Sequence, residues 1–192
     1  MPFVFAIVLT LAAGCFSGLA LTYYSVTRSV AFNAVKAGPW TAWPREGAPD
    51  AEPYGAAVRA RNASVPMGIG EGLALSARSD DSGAPLTAGC HYRLSGKIPA
   101  TRFWTITLYD SAGARLSHPL RRHNVTSAGV VREMDGDIEI HIAWEVKPGN
   151  WLSGPQSGAF TIMLRLYDTL SSATAFALDA KSLPSIKRQS CA

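Results

Sequence analysis

Two kinds of hydrophobic pattern divide the chain. An apolar stretch without any charged side chain runs from Phe3 to Tyr24, whereas short alternating segments begin only at Gly72. The first stretch is long enough to cross about 30 Å of hydrocarbon as a helix. Tyr23 and Tyr24 stand at its end, where aromatic rings favour the headgroup region of a bilayer. We therefore predict one transmembrane helix within residues 1–27, which acts as an uncleaved signal-anchor.

Three alternatives to that anchor remain open. A cleaved secretory signal would use the small residues at positions 18–20, although apolar sequence continues beyond them. A lipoprotein signal would place the modified thiol at Cys15, but the apolar run passes this position as well. A buried core helix is the least favoured alternative, because the stretch is long and has no polar face.

Small residues within the helix bear on its pairing, and charged residues beyond it bear on its orientation. Gly14 and Gly18 form a small-xxx-small pair, a spacing through which two membrane helices can approach closely and form a homo-oligomer. Arg28, Lys36 and Arg45 follow the helix, and no basic side chain precedes it. The positive-inside rule, taken alone, weakly places the rest of the chain in the cytoplasm.

The segment after the helix changes composition. Residues 28–53 are rich in Pro, Gly and Trp, which indicates a linker leaving the membrane. Tyr54–Asn62 is a candidate short helix, and the prolines at 53 and 66 limit its length. We assign residues 54–192 to a single β domain in which this short helix precedes the sheet.

The alternating segments predict the fold class. In Phe160–Leu166 every second side chain is large and apolar, and the same period recurs in Ile138–Trp144. The dipeptide Asp135-Gly136 is a strong hairpin signal. Further strands are predicted at Gly72–Arg78, His91–Gly96 and Arg102–Asp110. Short strands separated by turn residues predict a mainly β protein, an antiparallel, jelly-roll-like β-sandwich.

Charge and composition narrow the class of partner. The chain has 192 residues, a net charge of +4 and 17% charged residues, and its basic side chains are scattered. A nucleic-acid-binding domain would concentrate them in a stripe or a basic helix, so we expect no nucleic-acid partner. The membrane is the partner that the composition predicts most directly.

Motifs spread over the chain carry a family resemblance. In order they are GPWTAWPREG, DAEPY, CHYRLSG, RFWTITLYD, GNWLSG, FTIMLRLYDT and LPSIKRQSC. Together they resemble the bacterial domain-of-unknown-function family 1214 in its short, membrane-anchored form, over about Gly38 to Cys191. The resemblance implies a β-sandwich behind an anchor, a companion protein of family 1254 as a partner, and no established catalytic residue. At Ser117–His123 the chain departs from the family's Asn-Pro-x-x-Arg-Tyr pattern.

Two of the three cysteines bear on the compartment. Cys90 and Cys191 lie in family-like motifs, and in an exported domain a disulfide between them would attach the C-terminal tail to the sheet. They could equally be two separate thiols in a reducing compartment. With the resemblance, the disulfide places the domain in the periplasm, behind a single-pass anchor in the bacterial inner membrane, against the weak charge signal.

The sequence contains no complete catalytic or metal-binding pattern. His118 and His123 are separated by two arginines, and Glu139 with His141 is explained as well by a solvated strand face. Asp110, Asp135 and Glu139 could serve as paired glycosidase carboxylates only if they share a cleft. We therefore expect no catalytic residues, no metal and no cofactor.

One group of aromatic and basic side chains is a candidate binding surface. Its members are Arg102, Trp104, Asn150, Trp151, Arg165 and Tyr167. Trp and Arg supply contact area and planar hydrogen bonding at interfaces. The simpler interpretation, that these aromatic side chains pack at the edges of the sandwich, is preferred on the sequence alone.

These observations lead to a non-enzymatic, membrane-anchored envelope protein that acts through another protein. The alternatives are an envelope hydrolase acting on glycan or lipid, and a small-ligand-binding module.

Overall fold

In the computed structural model, helices dominate one compact unit and strands the other. The structure describes residues 2–27, 34–45, 47–48, 52–62, 66–68, 70–116, 119–120, 122–169 and 178–191. The helical unit comprises Met1–Phe32 and Asp50–Val65, and the β unit comprises Asn33–Pro49 and Pro66–Ala192.

Helix α1 spans Pro2–Thr27 and contains no acidic or basic side chain. Within the described part of the chain, it is the helix that is long and apolar enough to cross a membrane. Two polar side chains in its middle are satisfied locally, since the hydroxyls of Thr10 and Ser17 donate to the carbonyls of Ala6 and Gly14 at 3.0 and 3.1 Å. Such internal hydrogen bonds lower the cost of a hydroxyl in hydrocarbon. This helix is consistent with a single-pass membrane anchor.

Helix α2 spans Pro53–Asn62 and confirms the predicted short helix. Proline suits its first position, where the backbone N–H would have no partner within the helix. The backbone N–H of Ala56 donates to the carbonyl of Glu52 at 3.0 Å, which closes the first turn.

Ten strands occur in the described part of the β unit. They are β1 Val35–Ala37, β2 Trp40–Ala42, β3 Gly72–Ala77, β4 Cys90–Gly96, β5 Phe103–Asp110, β6 Asn124–Thr126, β7 Ile138–Ala143, β8 Asn150–Ser153, β9 Phe160–Tyr167 and β10 Ser185–Cys191. One sheet has the order β1-β2-β3-β9-β5-β6 and the other the order β10-β4-β7-β8. The predicted strands β3, β4, β5, β7 and β9 are therefore confirmed.

A shared core confirms the predicted two-layer architecture. Ile162 and Leu164 of β9 and Ile140 and Ile142 of β7 are fully buried, and both sheets contribute to one hydrophobic cluster. The alternate residues of β9 are only half-buried, so each strand presents one face to the core and one outward.

The structure corrects the sequence-based picture at two places. Strands β1 and β2 lie inside the segment 28–53 that we expected to be a linker, because Trp40 and Ala42 alternate with Thr41 and are buried in the core. Strand β8 pairs with β7 in parallel, so the sandwich is not wholly antiparallel.

A close approach of two backbones fixes the start of β3. Gly72 pairs with Tyr167, and a Cβ at position 72 would collide with the backbone oxygen of Leu166. Glycine is the residue that permits this contact.

The last strand is held by several polar contacts. The Arg188 Nε lies 3.3 Å from the Oδ2 of Asp80, whose side chain is only 5% exposed, and the Arg188 guanidinium lies 5.4 Å from the centre of the Tyr92 ring. Burial tends to raise the pKa of Asp80, but hydrogen bonds from Ser82 and Ala84, together with the charge of Arg188, outweigh burial and hold that pKa below its usual value.

A disulfide also attaches the last strand to the sheet. It joins Cys90 and Cys191, whose Cα atoms are 4.0 Å apart.

Candidate functional site

The outward side of the six-stranded sheet carries a half-buried arginine. Arg165 lies on β9, the strand between β3 and β5, and pairs with Ala74 on one side and Thr105 on the other. Its Nη1 donates a 3.0 Å hydrogen bond to the hydroxyl of Tyr109, and its guanidinium carbon lies 5.5 Å from the centre of that ring. Tyr109 therefore fixes the direction of the arginine side chain.

Two more aromatic rings lie on the same side. Tyr167 of β9 is directly opposite Phe103 of β5, and their ring centres are 5.8 Å apart. Phe103 is 37% exposed although it is a large apolar side chain. We call the group Phe103, Tyr109, Arg165 and Tyr167 the outer face.

Arg165 has no acidic partner within the described residues. The ion pairs found there involve other cations, and the interactions of Arg165 are those with Tyr109. A half-buried guanidinium has given up part of its hydration, so an anion from outside the chain would gain more from pairing with it than with a fully exposed arginine. The outer face is thus an arginine among aromatic rings that finds no counterion in the part of the chain that the structure describes.

The six predicted binding residues separate into four groups. Arg165 and Tyr167 come together on the outer face, whereas Trp104 is 2% exposed and Trp151 is buried with its indole N–H bonded to the Ala143 carbonyl. Both tryptophan side chains are therefore packed inside the domain and do not contribute to an exposed surface. Arg102, just before β5, is exposed and lies 3.6 Å from the carboxylate of Asp168.

The side chain of Asn150 is fully engaged in hydrogen bonds to the backbone. It accepts a hydrogen bond from the Val131 N–H at 2.8 Å and donates to the carbonyls of Val131 and Glu139 at 2.7 and 2.9 Å. These contacts tie a loop to the edge strand β8, so the side chain is already engaged.

The four-stranded sheet brings together two histidines that the sequence does not connect. His91 on β4 and His141 on β7 point outward, with His91 Nε2 3.1 Å from His141 Nδ1. Nε2 of His141 lies 3.4 Å from Oε1 of Glu139, and Oε2 of Glu139 lies 3.8 Å from Nη1 of Arg93. Burial lowers the pKa of His91, and the charges of His141, Lys147 and Arg93 lower it further. His118, considered earlier beside His123, lies outside the described residues.

A groove of about 710 Å³ lies along one end of the four-stranded sheet. Among the side chains that line it are the acidic residues Glu133, Asp135, Asp137 and Glu139, and two lysines, Lys97 and Lys181. Asp135 and Glu139 therefore do line a common groove. Asp110 does not line it, since its Oδ1 accepts the N–H groups of Ala112 and Ala114 in the turn after β5. Within the described chain, no group of three or more His, Cys, Asp or Glu side chains is arranged to hold a metal ion.

Comparisons with known proteins agree with this picture. The profile of a family described as "Protein of unknown function (DUF1214)" matches residues 71–171 and confirms the resemblance seen in the motifs. No curated protein matches the chain.

Several solved structures are similar to the chain, among them the following two. The VPA0106 protein from Vibrio parahaemolyticus has a TM-score of 0.58 and 21% identity, over 76% of this chain and 37% of that one. An uncharacterised protein from Burkholderia cenocepacia has a TM-score of 0.44 and 18% identity, over 62% of this chain and 29% of that one. The chain thus spans about a third of the length of these proteins, and the first likeness supports the fold alone.

Proposed function

The chain belongs to the DUF1214 family of proteins of unknown function, and from that premise we propose that it is a membrane-anchored, non-enzymatic binding module of the bacterial cell envelope. The observation that carries this proposal is Arg165, a half-buried cation without a carboxylate partner in the described chain, set among Tyr109, Tyr167 and Phe103. The module acts by holding another protein against the outer face.

The chemistry of the outer face selects the kind of partner. Tyr109 already takes one donor of Arg165, and the remaining donors suit the two oxygens of a carboxylate. Phe103 and Tyr167 add apolar contact area beside the charge. Interface energy concentrates in such Arg and aromatic side chains. The partner therefore presents an Asp or Glu side chain within an apolar patch, and a protein of the companion family 1254 is the first candidate.

The N-terminal helix supports membrane attachment, and the disulfide of the β unit supports the compartment. Helix α1 supplies the length and the apolar composition of a single-pass anchor in the inner membrane. The pairing of Cys90 with Cys191 supports an oxidising compartment, the periplasm. Lys36 and Arg45 argue for the cytoplasm, but positive-inside bias from a few scattered residues is a weak signal.

A binding measurement tests the proposal. We expect the full-length protein in detergent to bind its family-1254 companion, and Arg165→Gln to weaken binding by on the order of 2 kcal/mol, about 30-fold in Kd. Lys187→Gln is the matched control, because it removes one positive charge from an exposed position on the last strand of the other sheet. Its Kd should equal that of the wild type.

Two results would count against the module. If a pull-down from membranes recovers no specific partner and the companion does not bind, the protein-interaction proposal fails. If the companion binds but Arg165→Gln and Lys187→Gln behave alike, the outer face is not the interface. Thermal melting of both variants checks that neither has lost its fold.

The acidic groove favours a second candidate, a hydrolase acting on glycan or lipid. Asp135, Asp137 and Glu139 line one groove, and paired carboxylates are the groups that glycoside hydrolysis requires. Glu139 is already engaged by Arg93 and His141, which leaves the others as candidates. Turnover of an envelope glycan that disappears in Asp137→Asn would establish this activity, and its absence with a panel of such substrates would eliminate it.

A further inference from the structure

The two histidines on the four-stranded sheet have the arrangement of a pair of metal ligands. His91 Nε2 and His141 Nδ1 are 3.1 Å apart, and the rings are tilted by 53°. We propose that these two nitrogens bind a borderline divalent cation such as Zn²⁺ or Cu²⁺, with Glu139 as the carboxylate that orients His141. This site is independent of the outer face.

The nitrogen separation fits a shared cation. With metal–nitrogen bonds of about 2.0 Å, two ligands are about 3.3 Å apart in a tetrahedral site and about 2.8 Å apart at a right angle. The observed 3.1 Å lies between these values. Without a metal, one of the two facing nitrogens donates its proton to the other. On metal binding the proton moves to the other nitrogen of the donor ring, so that both facing nitrogens offer a lone pair to the cation.

Glu139 supplies the support that a ligating histidine commonly has. A metal-bound imidazole usually donates its other N–H to a carboxylate, which fixes the tautomer and the ring orientation. Oε1 of Glu139 lies 3.4 Å from Nε2 of His141, the nitrogen that does not face His91. Arg93 lies 3.8 Å from the second carboxylate oxygen and holds it in place.

The charges around the pair are nearly balanced. Arg93 and Lys147 lie close enough to lower the pKa of His91, but each is 3.8 Å from a carboxylate, Glu139 and Glu145 respectively. A neutral imidazole is the form that binds metal, so binding should weaken as the pH is lowered. Two protein ligands leave the other coordination positions to water, so we expect weaker binding than at a site with four protein ligands.

Metal titration of the full-length, untagged protein in detergent tests the site. Zn²⁺ affinity is measured by competition with a chromophoric chelator, and the ligand atoms are identified by electron paramagnetic resonance of bound Cu²⁺. We expect one equivalent to bind in the wild type, with at least about tenfold weaker binding in His91→Gln and in His141→Gln. Glu139→Gln should lose about tenfold as well, whereas His123→Gln, a histidine elsewhere in the domain, should bind like the wild type.

Each outcome decides the question. The Cu²⁺ spectrum of the wild type should show coupling to two imidazole nitrogens, a result that needs no variant to fold. Failure to bind at about 100 µM metal, coupling to fewer than two nitrogens, or equal binding by the wild type and both histidine variants would overturn the proposal. In those cases the two rings only share a proton.

Discussion

The link between Cys90 and Cys191 makes a quantitative prediction about stability. These residues are paired across β4 and β10 and are separated by 101 positions in the sequence. In the chain-entropy model, closing a loop of about 100 residues stabilises the folded state by about 4.7 kcal/mol, chiefly by restricting the unfolded chain. For a domain of this size that corresponds to a fall in Tm of about 10–20 °C when the link is removed.

The native fold should survive that loss. Strand β10 is also held by the ion pair between Arg188 and Asp80, and the Trp40 indole N–H donates to the Pro184 carbonyl at 2.7 Å just before the strand. The double variant Cys90→Ala/Cys191→Ala should therefore unfold cooperatively at lower urea concentration, as followed by tryptophan fluorescence of the full-length protein in detergent. Wild type treated with a reductant should match this variant.

The control for this experiment is the remaining cysteine. Cys15 is a free thiol in α1, so Cys15→Ala should leave the unfolding midpoint of the domain unchanged. A loss of less than about 1 kcal/mol in the double variant would refute the entropic argument. If the reductant leaves the urea unfolding midpoint of the wild type unchanged, the disulfide does not form in the purified protein.

Three further predictions concern side-chain substitutions. Asp80→Asn should cost about 2 kcal/mol at neutral pH. The ionised carboxylate stabilises the fold above about pH 4, and this contribution is lost as pH falls through the lowered pKa, so the variant should flatten the acid limb of a stability–pH profile. Gly72→Ala should cost about 2 kcal/mol in urea unfolding, because its Cβ meets the Leu166 oxygen. Gly14→Ile with Gly18→Ile should abolish any dimer detected by cross-linking in membranes, and an unchanged dimer would exclude that helix face.

Alternation along the chain was sufficient to predict the central strands. Ile138, Ile140 and Ile142 all face the core of the folded domain, as do Phe160 and Leu164, because a half-buried strand repeats with period two. The strands at the edges of the sheets were harder to predict from the sequence. Strand β8 has four residues and β10 places mostly exposed side chains after Ile186, so neither has an alternating apolar pattern to detect.

The candidate sites show why local patterns predict only part of a surface. Arg165 and Tyr167 share one strand, and their common side could be read from their spacing. Trp104 was assigned by its residue type, yet its parity matches buried Ile106. His91 and His141 meet only because β4 pairs with β7 in a register that puts Arg93 directly opposite His141. The two strands are far apart in the sequence, so local patterns do not reveal this register.

The proposed anchoring of the domain outside the cytoplasm is tested most directly by protease accessibility in intact and permeabilised spheroplasts, with the membrane pellet analysed by mass spectrometry. We expect protease added to intact spheroplasts to digest residues 66–192, while peptides from Pro2–Thr27 stay in the pellet after carbonate extraction. A domain that is digested only after permeabilisation would lie in the cytoplasm. A soluble chain lacking the residues of α1 would show that the helix is a cleaved signal, and either result would refute the anchored, periplasmic topology.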